Sequence, residues 1–455
     1  MKRNALNYLS QWLTSSDRKP IIIRGARQVG KTWVVRQLAE LHQKKLIELN
    51  FEKRPDFKSL FESNEPKQII QEIESRLGHD ILLAESILFL DEIQAASHLL
   101  AKLRWFAEDM PELAVVTAGS LLDFVLDDHE FSMPVGRVTY LYMEPLCFEE
   151  FLLAKNKTKL VDYLINFQWK NTIPESTHQH LLALFHEYVI IGGMPAAVFS
   201  WAEKNSLESV GRIQADLLAS YRDDFAKYAG RIALPHLEDV MISVPIMLGQ
   251  KFVLSKVNPN IQTPVIKTAL LLIEKARIAH ILYATAANGI PVGAETNKKF
   301  FKVNLVDVGL VSSLLGLKLN QIREQVDLNL INKGSISEQV VGQLLRCIDP
   351  QYIDPALYYW VREKQNANAE IDFIIQHNTD LVPIEVKSGS TGTMKSLHYF
   401  MSEKKLPRAV RINADFPSVT MINTKIQNGS NVQYQLLSLP FYLTQQIHRL
   451  LEEKN

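Results

Sequence analysis

Leu6, Leu9, Trp12 and Leu13 recur at the spacing of a helix with one buried face, and they predict a short amphipathic helix within residues 1–19. Pro20 closes it, and the compact apolar run Ile21-Ile22-Ile23 leads at once to Gly25. Further apolar runs lie at 46–51, 87–90 and 114–118, with helical stretches between them. Strands apolar along their whole length, alternating with helices, are the pattern of a parallel sheet covered by helices on both faces. Near Pro145 the alternation gives way to helices, which run from Phe148 to about Pro235. A smaller stretch, 237–315, contains the turn-rich Asn288-Gly289-Ile290-Pro291, and the polar residues 316–334 read as a linker. From Ser335 the pattern predicts a helix and then strands at 358–361, 370–375 and 382–386. Domains are therefore expected at 1–150, 151–236, 237–318 and 319–455, and no internal repeat is visible.

The length of 455 residues supports this division, since it exceeds what one hydrophobic core serves. No apolar run approaches the ~18–20 residues of a membrane span, and the first residues lack the apolar core of a signal peptide. Cys147 and Cys347 stand far apart, without the spacing of a zinc site or a disulfide framework, so a reducing cytoplasm is expected.

Gly25-Ala26-Arg27-Gln28-Val29-Gly30-Lys31-Thr32 fits G-x-x-x-x-G-K-[ST], with a strand before it and a helix after it. The glycines let backbone N–H groups curl around phosphate oxygens, and the helix N-terminus points its positive end at the same anion. Lys31 is expected at the β- and γ-phosphates and the Thr32 hydroxyl on Mg2+. Ile87-Leu88-Phe89-Leu90-Asp91-Glu92 supplies the complement: a buried strand whose end presents Asp91 to the metal and Glu92 to the attacking water as general base. The Asp-Glu pair favours ATP. Asn297-Lys298-Lys299-Phe300 lacks the aspartate that reads guanine. Ser120, after the strand at 114–118, is placed to sense the γ-phosphate or to cap a helix. Arg137 is a candidate cationic finger, with Arg27 and Arg104 as rivals.

Taken with the run Leu90-Asp91-Glu92-Ile93-Gln94 and with Gly119-Ser120, Gly136-Arg137, Glu144-Pro145-Leu146, Gly192-Gly193-Met194-Pro195 and Asp307-Val308-Gly309-Leu310, these motifs resemble a large group of prokaryotic AAA-type ATPases. In that group a C-terminal domain of unknown function follows the ATPase. The resemblance runs over nearly the whole chain and implies ATP as ligand.

The chain is neutral overall, yet from Val240 to Leu305 eight basic residues (Lys251, Lys256, Lys267, Lys275, Arg277, Lys298, Lys299, Lys302) face only Glu274 and Glu295. A helix over about 263–275 followed by a turn-rich hairpin looks like a winged helix, and DNA is the expected partner. A homo-oligomer is compatible with the motifs.

Glu370-Ile371-Asp372-Phe373 and Pro383-Ile384-Glu385-Val386-Lys387 place carboxylates inside apolar strands, where a charge needs a partner or a metal. Glu385 and Lys387 alternate onto one face, and Asp372 can lie beside them. This resembles the D-x(n)-E-x-K signature of restriction-endonuclease-like and Holliday-junction-resolvase-like nucleases, although Ile371 stands where that pattern usually has proline. The resemblance implies Mg2+ on Asp372, Glu385 and the helix residue Glu338, with Lys387 orienting or deprotonating water and Lys395 as a phosphate contact. The expected fold class is thus α/β multidomain. It comprises a P-loop NTPase parallel sheet, a helical and winged-helix middle, and a restriction-endonuclease-like C-terminal domain. The expected activity is a DNA-linked ATPase with a possible metal-dependent nuclease site; the competing expectation is a nucleotide-controlled signalling switch with an inert C-terminal domain.

Overall fold

The computed structural model describes the chain except residues 1, 121, 127–133, 229–231, 318–333, 363–368, 388–393, 427–428 and 454–455. The linker expected at 316–334 thus falls almost wholly outside the described residues. The chain divides into two compact units.

The first unit holds Met1–Glu144 with the short segments Lys275–Arg277 and Pro350–Asp354. Its strands β1 (Ile21–Arg24), β2 (Lys45–Asn50), β3 (Ser86–Asp91), β4 (Ala114–Ala118) and β5 (Thr139–Tyr142) form one sheet in the order β2-β3-β4-β1-β5. Every pairing is parallel. β3 and β4 are buried along their full length, as continuous apolar runs require in a sheet covered on both faces. The first helix spans Asn4–Thr14 and buries Leu9, Trp12 and Leu13. Because β4 stands between β1 and β3, the turns after all three strands reach the same edge of the sheet, where parallel α/β sheets bind ligands. Arg277 fixes the sequence-distant segments to this unit. Its Nε donates to Asp123 at 2.5 Å and its two terminal nitrogens to Asp354 at 3.0 and 2.9 Å. The Tyr142 amide also donates to the Gln351 carbonyl at 2.8 Å.

The second unit comprises Pro145–Glu274, Ile278–Asp349 and Pro355–Asn455. Helices fill its first part, among them Glu175–Ile191, Pro195–Lys204 and Leu207–Tyr228. Eight strands follow: β6 (Ala279–Thr285), β7 (Thr296–Leu305), β8 (Tyr358–Arg362), β9 (Ala369–His377), β10 (Asp380–Val386), β11 (Arg408–Asn413), β12 (Ser418–Lys425) and β13 (Asn431–Pro440). They make a single mixed sheet, β12-β13-β11-β10-β9-β8-β6-β7. The hairpin read as part of a middle domain, β6–β7, is therefore continuous with the C-terminal strands through the parallel pairing of Tyr283 with Tyr358 and Ala284 with Tyr359. The backbone groups on one side of β6, which would be open in an isolated hairpin, find partners in β8.

Three motifs that resemble the AAA-type group without any evident chemistry meet inside this unit. The Leu146 amide donates to the Gly193 carbonyl at 2.7 Å, and the Gly193 amide donates to Asp307 Oδ2 at 2.6 Å. Asp307 caps the helix Val308–Leu314 through the Leu310 amide at 3.2 Å and accepts from Gln343 Nε2 at 3.1 Å. The Tyr188 hydroxyl donates to the Leu146 carbonyl at 2.7 Å. A side chain at Gly192, whose φ is 77°, would strike the Asp307 carboxylate, and one at Gly309 would strike the Ile191 carbonyl. Burial of Asp307 pushes its carboxyl up to about 6 against the pull of these donors.

Candidate functional site

The loop after β1 turns at Gly25 and ends at Gly30, whose φ of 97° precedes the helix Lys31–Leu41. A side chain at Gly25 would collide with the Met143 carbonyl, so the close approach of these two backbones demands glycine there. Ala26 and Val29 are buried, Arg27 is half-buried and Gln28 is exposed at a φ of 64°. Lys31 is 8% exposed, and its amine donates to the carbonyls of Gly25 and Ala26, both at 2.9 Å. Burial lowers its pKa to about 8, with Glu92 and Asp91 opposing the shift and Arg27 and Arg277 adding to it.

Thr32 Oγ1 lies 3.3 and 3.2 Å from the two carboxylate oxygens of Asp91. Asp91 also accepts from Asn50 Nδ2 at 3.1 Å. Its carboxyl is pushed up to about 6, first by burial and then by Glu92, against the hydrogen bonds from Asn50 and Thr32. A hydroxyl and a buried carboxylate side by side at the start of the phosphate helix are oxygen donors of the kind Mg2+ takes, and the residues present fit that ion. Glu92 sits at a left-handed φ of 51°, and its Oε2 accepts from Gln94 Nε2 at 2.6 Å. Ser120, 8% exposed, follows β4 at the same sheet edge.

Arg137, the candidate finger, pairs with Glu108. Its Nε donates to Glu108 at 2.6 Å, half its side chain is exposed, and Arg104 pairs with the same carboxylate at 3.2 Å. Arg27 and Arg277 are cations whose charge bears on Lys31. Sequence reasoning gave Asn50, Gln94 and Arg277 no role at this site. Asn50 was within reach of such reasoning, since it ends the strand beside β3 in register with Asp91. Arg277 was not, because its partners Asp123 and Asp354 are far from it along the chain.

The second unit gathers the other predicted residues around a lysine. Lys302 on β7 is 3% exposed. Its amine lies 3.0 Å from Glu338 on the helix Ser335–Leu345 and 3.8 Å from Asp372 on β9, and it also pairs with Glu370. Asp372 Oδ2 accepts from the Val386 amide at 2.7 Å, and Lys387 pairs with Glu385 at 2.5 Å. Burial works against the Lys302 charge, but Glu338, Asp372 and Glu370 outweigh it and hold the ammonium above its usual range. Burial, reinforced by Asp372, pushes Glu338 up to about 8 and Glu385 up to about 7. The expected Mg2+ ligands Glu338, Asp372 and Glu385 thus share one charge cluster with Lys302 beside them. Among the described residues no three carboxylate, imidazole or thiolate groups are grouped to hold a metal ion. Lys395, at the start of the helix Lys395–Lys404, is exposed.

Residues 17–152 match the model of an AAA domain. Residues 182–321 and 333–436 match two domains of unknown function, DUF8612 and DUF4143. The chain therefore contains an AAA-type P-loop ATPase domain, in agreement with the five-stranded parallel sheet. No curated protein matches the chain. Among solved structures, the Thermotoga maritima RuvB Holliday junction branch migration motor is similar at 15% identity over 70% of this chain and 95% of that one, with a TM-score of 0.30. A RuvB with one substitution, from the same organism, is similar at 16% identity over 66% and 93%, with a TM-score of 0.29. No helix among the described residues is long and apolar enough to cross a membrane.

Proposed function

We propose that the chain binds ATP with Mg2+ at the loop Gly25–Thr32 and hydrolyses it, with Glu92 as general base. The observation that carries this reading is the placing of the Thr32 hydroxyl against the buried Asp91 carboxylate, directly after a lysine held inside the glycine loop. Lys31 is within reach of the phosphates by exchanging its two carbonyl partners for their oxygens, and its charged form is favoured when a multiply charged anion arrives. Thr32 and Asp91 would hold the metal, which when bound draws the charge of the transferring phosphoryl group. Glu92 accepts the proton of the attacking water. Ser120, at the end of the strand between β1 and β3, contacts the γ-phosphate side. Glu92→Gln tests the assignment: ATP should still bind and turnover should fall by about 10²–10⁴-fold, as loss of a general base implies. Turnover at the wild-type rate would remove Glu92 from this role.

The ATPase is proposed to act on DNA through the middle segment, where Lys251, Lys256, Lys267, Lys298 and Lys299 are exposed. The helix Thr263–Lys275 carries Lys267 and would lie along phosphates in the manner of a winged helix, with β6–β7 as the hairpin. A second reading is favoured by Lys302. An ammonium among Glu338, Glu370 and Asp372 suits a C-terminal region that binds rather than cleaves, and such a chain serves as a nucleotide-controlled switch. ATP turnover stimulated by DNA belongs to the first reading, and slow turnover indifferent to DNA to the second.

A further inference from the structure

We propose that Gln94 is a positioning residue for ATP hydrolysis, its side-chain amide holding the Glu92 carboxylate in the orientation from which it acts as base. The inference rests on the role of Glu92 proposed above. Glu92 leaves β3 at a φ of 51° and opens the 3-10 run Ile93–Lys102. Its side chain has therefore left the alternation of the strand, and the sheet no longer dictates where the carboxylate points. What fixes it is the 2.6 Å bond from Gln94 Nε2 to Glu92 Oε2. Only the NH2 end of an amide can donate to a carboxylate, so the orientation of the Gln94 amide follows from its partner.

The opposite end of the same amide supplies the independent observation. Among the described residues Gln94 Oε1 is buried and has no hydrogen-bond partner. A buried acceptor without a donor is unfavourable, so the amide is not held there for the sake of its carbonyl. It is held by the charge-assisted bond at its other end. The carbonyl fits because position 119 is glycine: any Cβ at Gly119 would collide with Gln94 Oε1. Gly119 directly follows β4, the strand between β1 and β3. The pair Gly119-Ser120 and the run Leu90–Gln94 thereby gain a common purpose that neither shows alone in the sequence. The Glu92 charge also opposes the lowering of the Lys31 pKa.

Steady-state ATP hydrolysis by the full chain tests the proposal. Gln94→Ala should lower kcat by about 10–100-fold, part of what a general base contributes, while KM for ATP and the affinity for a non-hydrolysable ATP analogue stay within about twofold. Gly119→Ala should reproduce the kcat loss by displacing the amide, and the double variant should be no slower than the slower single one. In the Glu92→Gln background, Gln94→Ala should leave the residual rate unchanged, because there is no carboxylate left to orient. A merely structural role would persist in that background and would disturb ATP binding. The proposal is overturned if Gln94→Ala retains kcat within about twofold of wild type, or if it lowers the residual rate of Glu92→Gln further. The two failures are separable. Wild-type turnover by Glu92→Gln removes the base itself, whereas an inactive Glu92→Gln beside a fully active Gln94→Ala removes only the positioning role.

Discussion

Lys302 is ringed by carboxylates from β9 and the helix Ser335–Leu345, and 3% of its surface reaches solvent. In the sequence it stands in a basic run, one residue beyond Phe301 and close to Lys298 and Lys299, where it reads as one more phosphate contact. The reason for the difference lies within β7. Asn297, Lys298 and Lys299 are exposed, while residues 301–305 are all buried, so one strand passes from surface to core in midcourse. The carboxylates that receive the lysine come from later in the chain and give no local signal. The substitution Lys302→Met, in a nucleotide-free Lys31→Ala background, should reduce stability by about 3–5 kcal/mol, the range for breaking a buried ion pair by removing one partner. Millimolar Mn2+ should restore part of that loss in the variant and leave the parent's denaturant midpoint unchanged. A parent stabilised by Mn2+ as strongly as the variant, and sensitive to Asp372→Ala, would return the metal to this cluster.

At the scale of elements, legibility follows burial. β1, β3 and β4 are short apolar runs covered on both faces, and each is visible as such in the sequence. β9 and β10 stand out because carboxylates interrupt apolar strands. β12 does not, since every side chain on it is exposed or half-buried and the alternation carries little apolar signal. The glycine turns are visible as motifs, but their reason is not. Gly192 can be compared with Gly78, which also has a left-handed φ (75°) but has open space for 4 Å around the point where a Cβ would stand. Gly78→Ala should cost only the backbone term, about 1–2 kcal/mol. Gly192→Ala adds a collision with Asp307 and weakens its bond to the Gly193 amide, so the loss should be about 3 kcal/mol or more, from strain together with a disturbed hydrogen bond to a buried charge. Denaturant melts of the two variants side by side decide this; equal losses would mean that Asp307 yields freely.

For the whole molecule, the neutral formal charge conceals a local excess, and part of that excess is internal. Arg277 is held by Asp123 and Asp354, and Lys302 by its carboxylates, which leaves Lys256 and Lys267 among the exposed cations of the middle segment. Replacing both with glutamine should weaken DNA binding and reduce the slope of log affinity against log salt by about 2, close to one for each phosphate that is no longer neutralised. A titration of duplex DNA at several salt concentrations reads it. An unchanged slope would give the middle segment a packing role and favour the switch.

The eight-stranded sheet bears on how the chain can be taken apart. A cut near 318, where sequence alone suggests a domain boundary, would separate β6–β7 from β8–β13. It would also strip Lys302 from Glu338, Glu370 and Asp372. The truncated C-terminal piece would then present β8 as a raw, hydrogen-bonding edge beside an uncompensated acidic core. Such a fragment is a template for aggregation, and an inactive or insoluble one would report the place of the scissors rather than the chemistry of the intact protein.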